Sequence, residues 1–457
     1  MRFTPTEQQQ KILDTVSKDI GGKVMSVTAR AGCTKTSSAR LMVETVKPKR
    51  ALYFAFNKAI VEEGTQTFTD NVECKTLHAL AYRYIKPDKI EDFTYTCIKE
   101  NIGYRNKLNI INAVDSFFRS SSLDMYEYLG HLLEPEFASL AVKYIEEMVE
   151  GKRPKTFNML LKYFHLLMAQ DSITVEYDMV IMDEAGDTTE VAVEIFKLIK
   201  SPKKAILGDD LQTIYGFMNL VDGFKLVDDP IKLQLTKSFR CCTAIAERVE
   251  KYVQSNLCDS FEFKGFDREP KLETTAYISI TNSQLVLQMQ KLLAEGKRFK
   301  LLRRVKDIFA PILALATASA GREVYHKKYK FLEKERKNYA MSSYKSFFAY
   351  LKAEVDDEEI HIAIDTLASL NKQKVNIFGL LKEVEAMKPD PSITVCTGYT
   401  AKGLEFDRVV ILNDLNLKVN KIRLKGGAED DKEREVLKVG YVAATRARFY
   451  LDNCNFM

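Results

Sequence analysis

At 457 residues the chain is longer than one hydrophobic core usually serves, so two or more domains are expected. Its 46% hydrophobic and 29% charged residues suit an ordinary globular protein, and no apolar run approaches the roughly 18 residues that a membrane span needs. The opening MRFTPTEQQQ lacks the apolar stretch of a signal peptide, a net charge of +5 is too small to establish nucleic-acid binding, and the eight cysteines and five histidines show no zinc-ligand spacing. Reduced thiols and no zinc are expected.

From Val24 to Val27 a short apolar run precedes a turn, and a helix-compatible stretch begins at Thr36, the strand, loop, helix order of a nucleotide-binding unit. The runs ALYFAF at 51–56, MVIM at 179–182 and AIL at 205–207 read as further buried parallel strands of a first α/β lobe. FKLL at 299–302 and VVIL at 409–412 suggest a second sheet in the C-terminal half. Two long helix-patterned stretches without strand signal, about 86–160 and 305–388, read as inserted helical subdomains. The second starts in a basic region, KRFKLLRRVK and then HKKYKFLEKERKNY, and turns acidic from Glu354; a solvated helix surface explains this as well as a DNA-facing patch does.

The chemistry concentrates in short motifs. ARAGCTKTSS, from Ala29 to Ser38, follows the first strand. Backbone N–H groups across Ala31, Gly32, Cys33, Thr34 and Ser37 can cradle phosphates, Lys35 can reach the terminal phosphates, and the Thr36 hydroxyl can hold Mg2+. The pattern G-x-x-x-x-G-K-[ST] has glycine where this chain has Arg30 and Thr34, and a β-branched residue adds bulk in a loop that must approach phosphate closely. Asp183-Glu184 ends the MVIM strand, placing Asp183 to hold Mg2+ through water and Glu184 to orient the attacking water.

MDEAGDTTE, LGDDLQTIYGF, LTKSFR, CTGYTAKGLEFDRVVIL and YVAATRAR occur in the order and approximate spacing of UvrD/Rep-like superfamily 1A helicases. The Phe-Asn-Lys-Ala segment at 56–59 and TLHALAY at 76–82 resemble the F-box DNA helicase branch and its phage or bacterial relatives, and the set of motifs runs from Gln8 to Arg446. The resemblance implies an α/β fold of two RecA-like P-loop NTPase lobes with parallel sheets, each carrying a helical insertion. Residues 1–85 and 161–230 are expected to form the first lobe around an insertion at 86–160, and 231–304 and 389–457 the second lobe around a small insertion at 305–388.

It further implies that Gln8, or Gln9 one register on, reads adenine, that Gln212 senses the terminal phosphate and that Arg240 and Arg446 stabilise charge on it. By the same resemblance Phe239 stacks on adenine, and Lys402, Gly403 and Glu405 contact ribose and phosphates. ATP and Mg2+ are the implied cofactors. Single-stranded and tailed duplex DNA are the implied partners, moved along with 3′ to 5′ polarity, by a monomer, with a loading or single-strand-binding protein as a further partner. No membrane is involved; the cytoplasm of a bacterial or phage-infected cell, or the nucleus of a eukaryotic one, is the expected location.

Sequence-tolerant strand binding needs aromatic faces for bases and cations for phosphates. Phe54, Phe56, His78, Tyr215 and Phe217 lie where the family stacks bases or touches the strand; Lys58 can neutralise phosphate, and Asn57, Thr76, Thr397 and Tyr399 complete the implied track. A bland reading, that aromatics beside strands belong to the core, stands against each of these. Gly186 and Tyr399 stand where the family has glutamine and histidine. With Thr34 these departures suggest slow or loosely coupled hydrolysis, unless neighbouring residues compensate. The rival functions are a translocase that strips proteins from single strands without unwinding, and a nucleotide-binding scaffold; the joint presence of Lys35, Thr36, Asp183, Glu184, Gln212, Arg240 and Arg446 argues against the scaffold.

Overall fold

The computed structural model describes residues 4–55, 58–216 and 220–457, except for the side chains at 58–60 and 63. The chain divides into two compact units, Met1–Lys237 and Ser238–Met457. In the first, the order is α1 (Glu7–Ser17), β1 (Val24–Ala29), α2 (Lys35–Val46), β2 (Ala51–Phe54), α3 (Lys58–Thr67), β3 (Val72–Lys75), α4 (Leu77–Ile85), α5 (Tyr104–Arg119), α6 (Met125–Leu132), α7 (Pro135–Val149), α8 (Phe157–Ala169), β4 (Met179–Met182), α9 (Glu190–Leu198), β5 (Lys203–Gly208) and β6 (Ile231–Leu235). The strands form one sheet in the order β3-β2-β4-β5-β1-β6. Every pairing is parallel. β2 and β4 are buried at all four positions, as expected for strands covered by helices on both faces.

A parallel sheet puts the loops that follow its strands on one edge, where ligands of open α/β sheets bind. β5 lies between β1 and β4, so the loops after β1, β4 and β5 meet there. Two boundaries differ from those expected. β6 at 231–235 pairs with β1, Val27 opposite Leu233, and so closes the first sheet instead of opening the second lobe. α8 runs through 160 to Ala169. Its N-terminal Met159 joins the first insertion's own core, with Phe117, Phe118, Tyr144 and Ile145. Leu160, Phe164 and Met168 pack instead under the sheet.

In the second unit the order is α10 (Thr243–Asn256), β7 (Thr275–Ser279), α11 (Asn282–Ala294), β8 (Lys300–Leu301), α12 (Val305–Ser319), α13 (Phe331–Ala340), α14 (Phe347–Glu354), α15 (Glu358–Lys372), α16 (Ile377–Ala386), β9 (Ile393–Thr397), β10 (Phe406–Ile411), α17 (Asn413–Leu424), α18 (Asp431–Ala444) and β11 (Ala447–Asp452). Its sheet, in the order β11-β10-β7-β9-β8, is also parallel. The five helices α12–α16 lie between β8 and β9. Unlike the first insertion they share a core with their lobe: Phe309, Ile312, Leu351 and Leu370 pack in one cluster with Val286, Met289 and Val395. The fold is thus α/β with two RecA-like lobes. Among the described residues no helix is long and apolar enough to cross a membrane.

Candidate functional site

The loop between β1 and α2 is shaped by two left-handed residues, Gly32 at φ 72° and Thr34 at φ 56°. Glycine takes such a φ freely, whereas a β-branched residue pays a steric cost for it. Thr34 is held there from below. Gln9 is 1% exposed, and its Nε2 donates to Thr34 Oγ1 at 3.2 Å and to Ser38 Oγ at 3.0 Å while its Oε1 accepts from Thr6 N at 2.9 Å. The same Thr6 and Gln9 form the capping box that starts α1. The Thr34 hydroxyl therefore engages the lobe's interior. Both amide hydrogens of Gln9 are committed, so of the two candidate adenine readers Gln8 is the one with capacity left. Its Oε1 accepts from Thr236 N at 2.8 Å and lies 3.4 Å from Thr236 Oγ1, to which its Nε2 donates at 3.0 Å, leaving one amide hydrogen for a purine edge.

Lys35 opens α2 and donates to Glu184. Burial works against the Lys35 ammonium, but the Glu184, Asp183 and Asp209 carboxylates outweigh it and hold its pKa above the ordinary lysine value. Asp183, 4% exposed, receives the Tyr53 hydroxyl on one oxygen and the Glu184 N–H at 2.8 Å on the other. Burial raises its pKa against the pull of Lys35. Glu184 itself sits at φ 55°, a strained conformation of the kind that marks working residues. Thr36 in the first turn of α2 and Asp183 at the end of β4 offer hard oxygen donors, the chemistry Mg2+ takes. Gln212 is buried, its Nε2 donating to Asp209 Oδ2 at 2.7 Å. Arg30 pairs with both Asp209, at 3.3 Å, and Asp210.

Tyr53 was not singled out from sequence, and Gln9 and Arg30 were named there only as an alternative adenine reader and as a departure from the glycine of the loop pattern. Gln9 had a signal, the T-x-x-Q of a capping box. Tyr53 had only its place in an apolar strand. Gly186, where glutamine is usual, is explained by its surroundings: a Cβ there would lie 2.7 Å from the Asp209 carbonyl oxygen and 3.1 Å from Thr213 Oγ1. Thr213 Oγ1 donates to the Gly186 carbonyl at 2.7 Å, so the loop after β5 lies directly on this position.

In the second unit, Arg240 precedes α10 and its Nε donates to Glu405 Oε2 at 2.8 Å. Arg448 pairs with the same carboxylate and with Asp407 at 3.3 Å. Burial works to raise the Glu405 carboxyl, and the Arg448 and Arg240 guanidiniums outweigh it, holding it below the usual carboxylate range. Phe239 is half-buried, its ring 5.4 Å from that of Phe266. Gly403 takes φ 84° in an exposed turn beside the half-buried Lys402. Arg446 differs from expectation in its presentation. It is 1% exposed, with Nε on Val442 O at 3.0 Å and its other nitrogens on Leu404 O and Thr445 Oγ1, so three of its five N–H donors are already engaged within its own lobe.

Of the strand-contact candidates, Phe56, Asn57 and Phe217 lie outside the described residues, as does the Lys58 side chain. Phe54 is a correction: it is 2% exposed, its ring lies 6.1 Å from Phe196 in the core under the sheet, and it has no free face for a base. Thr76 caps α4, its hydroxyl accepting from Ala79 N at 3.2 Å. His78, two residues on, meets Phe157 edge-on at 6.0 Å, and Phe157 is 57% exposed, an aromatic face that sequence reasoning missed. Tyr215 is half-buried. Thr397 is buried against Thr400, whose hydroxyl lies 3.1 Å away, and the Tyr399 hydroxyl donates to Glu435 at 2.9 Å.

A family model described as the UvrD-like helicase C-terminal domain matches residues 89–452. The chain belongs to the UvrD-like helicase family. Among curated proteins it is similar to F-box DNA helicase 1 of Gallus gallus, 25% identical over 516 residues that cover 97% of this chain and 48% of that protein. It is also similar to F-box DNA helicase protein 1 of Schizosaccharomyces pombe, 23% identical over 495 residues covering 93% and 55%. The chain spans about half the length of the curated relatives it matches. As a UvrD-like protein it carries the motif set on the sheet edges where parallel strands end: Lys35 after β1, Asp183 and Glu184 after β4, Gln212 after β5, and Thr397 to Tyr399 at the end of β9.

Proposed function

We infer that the chain is an ATP-driven DNA helicase that moves along single-stranded DNA from 3′ to 5′. The observation that carries this reading is the direct pairing of Lys35 with Glu184 beside the buried Asp183. Groups suited to the terminal phosphate, to the attacking water and to a metal ion are brought together from loops about 150 residues apart in sequence. ATP phosphates would draw Lys35 away from Glu184, freeing that carboxylate to orient water. Mg2+, held through Thr36 and Asp183, would supply charge neutralisation at the phosphate oxygens. Gln212 would sense the terminal phosphate, Arg240 and Arg446 would stabilise its charge, and Gln8 and Phe239 would hold the adenine. Thr76, His78, Tyr215, Thr397 and Tyr399 are the proposed strand contacts, with Phe157 added.

The names of the two curated relatives, both DNA helicases, support the substrate class. The test is ATP turnover with and without single-stranded DNA, followed by strand displacement on 3′-tailed and 5′-tailed duplexes. Stimulation by single strands, its loss in Lys35→Ala, and displacement of the 3′-tailed duplex alone are expected. Turnover indifferent to DNA would refute the reading. Stimulated turnover with no displacement of either duplex would instead favour a translocase that strips proteins.

A further inference from the structure

We propose that the second helical insertion carries a nucleotide-unit site, taking one phosphate together with its planar base, separate from the ATP site and from the strand contacts proposed above. All five helices α12–α16 contribute to the lining of a single cavity of about 560 Å³. That volume lies within the ~300–1,000 Å³ typical of small-molecule sites. Two cations line it, Arg336 and Lys345, and no carboxylate does. Neither cation makes an ion pair among the described residues. The Arg336 guanidinium instead lies over the Tyr339 ring at 5.0 Å and the Phe347 ring at 5.3 Å.

Such an arrangement favours a particular ligand. A half-buried guanidinium stacked on two rings is oriented but has no anionic partner, so its N–H donors are available to a phosphate. The N-terminal turns of α14 and α16, capped by Ser346 and Asn376, border the same cavity and add the positive ends of two helices. Phe378, 42% exposed, and Phe348 provide aromatic faces, and Asn371 an amide with both donor and acceptor. Anion, aromatic face and amide together match a nucleotide better than a simple anion, for which the rings are superfluous, or an apolar ligand, for which the cations are costly.

The nucleotide unit has two possible sources, a free mononucleotide or one residue of a nucleic-acid strand, and the experiment separates them. In one arm 2-aminopurine deoxyribonucleoside 5′-monophosphate is titrated into the full chain carrying Lys35→Ala, and stacking is read as fluorescence quenching. In the other, an oligothymidylate with one internal 2-aminopurine is used, the label being moved along the strand. Lys345→Glu and Phe378→Ala change exposed side chains and leave the fold intact. If the source is free nucleotide, each is expected to weaken the saturable quenching of the first arm roughly tenfold. If the source is a strand, each is expected to abolish quenching at one label position while overall strand affinity holds. Quenching that both variants leave unchanged, or no saturable quenching in either arm, overturns the proposal. Sensitivity to Lys345→Glu without sensitivity to Phe378→Ala reduces the site to anion binding and overturns it equally.

Discussion

Replacing Thr34 by glycine restores the residue usual before the lysine of a phosphate loop, and the structure determines what that replacement should do. Three contributions oppose one another. Relief of the left-handed conformation at φ 56° is worth about 1–2 kcal/mol. Loss of the 3.2 Å bond from Gln9 costs about 1 kcal/mol, and the extra freedom of glycine in the unfolded chain about 0.4–1 kcal/mol. The three close to within ~1 kcal/mol of zero, so thermal unfolding should move by no more than about 4 °C. The hydroxyl faces Gln9 rather than phosphate, so turnover should stay within about threefold of the parent, a barrier change of under ~1 kcal/mol. Thr34→Val separates the terms, because it keeps the bulk and the strain and loses only the bond; it should be the less stable variant by about 1 kcal/mol. The measurements are steady-state ATPase with saturating single-stranded DNA and differential scanning fluorimetry. A tenfold rise in turnover for Thr34→Gly would mean that the side chain does limit the loop, and the reasoning from its hydrogen bond would fail.

Glu184→Gln should lower ATP turnover by about 10²-fold or more while tightening ATP binding, because Lys35 then gives up a weaker partner to reach phosphate; fluorescent-nucleotide titration beside turnover checks both. Gly186→Gln, which restores the family residue, should destabilise the first lobe by roughly 1–3 kcal/mol, since its Cβ would meet the Asp209 carbonyl at 2.7 Å, and denaturant midpoints measure this. His165 is 2% exposed with Nδ1 unpartnered among the described residues, and burial, with a smaller push from Lys162, lowers its pKa to about 4. Its folded pKa lies below the unfolded value, so its stability contribution is full above pH ~6.5 and is lost as pH falls toward 4, at most about 3 kcal/mol. His165→Leu should flatten this part of the pH–stability profile, and an unchanged acid slope would refute the assignment.

What was legible in the sequence is what local chemistry dictates. A loop that cradles phosphate needs its lysine and hydroxyl adjacent, and a strand-end carboxylate pair needs only the strand before it, so Lys35, Thr36, Asp183 and Glu184 could be read directly. Partners across the sheet could not. IKLQL at 231–235 carries no mark of pairing with β1, some 200 residues earlier, so the lobe boundary fell a strand too soon. Within ALYF, the period of two puts Tyr53 and Phe54 on opposite faces, both of them buried, but only the neighbours decide what each meets: Phe54 met Phe196, and Tyr53 met Asp183.

The three departures from the family share a cause of this second kind. Thr34 is bonded to Gln9, Gly186 admits the Asp209 carbonyl, and Tyr399 is bonded to Glu435, each a partner in the same lobe and distant in sequence. A site losing its function sheds such contacts, because nothing maintains a hydrogen bond whose only effect is to place a loop. Here each altered residue has a fitted neighbour, and two of those fits, at Thr34 and Gly186, adjoin Lys35 and Glu184 in sequence. The arrangement therefore favours compensation over decay: the loops are held by different contacts, and single reversions to the family residue should remove a contact rather than repair a defect.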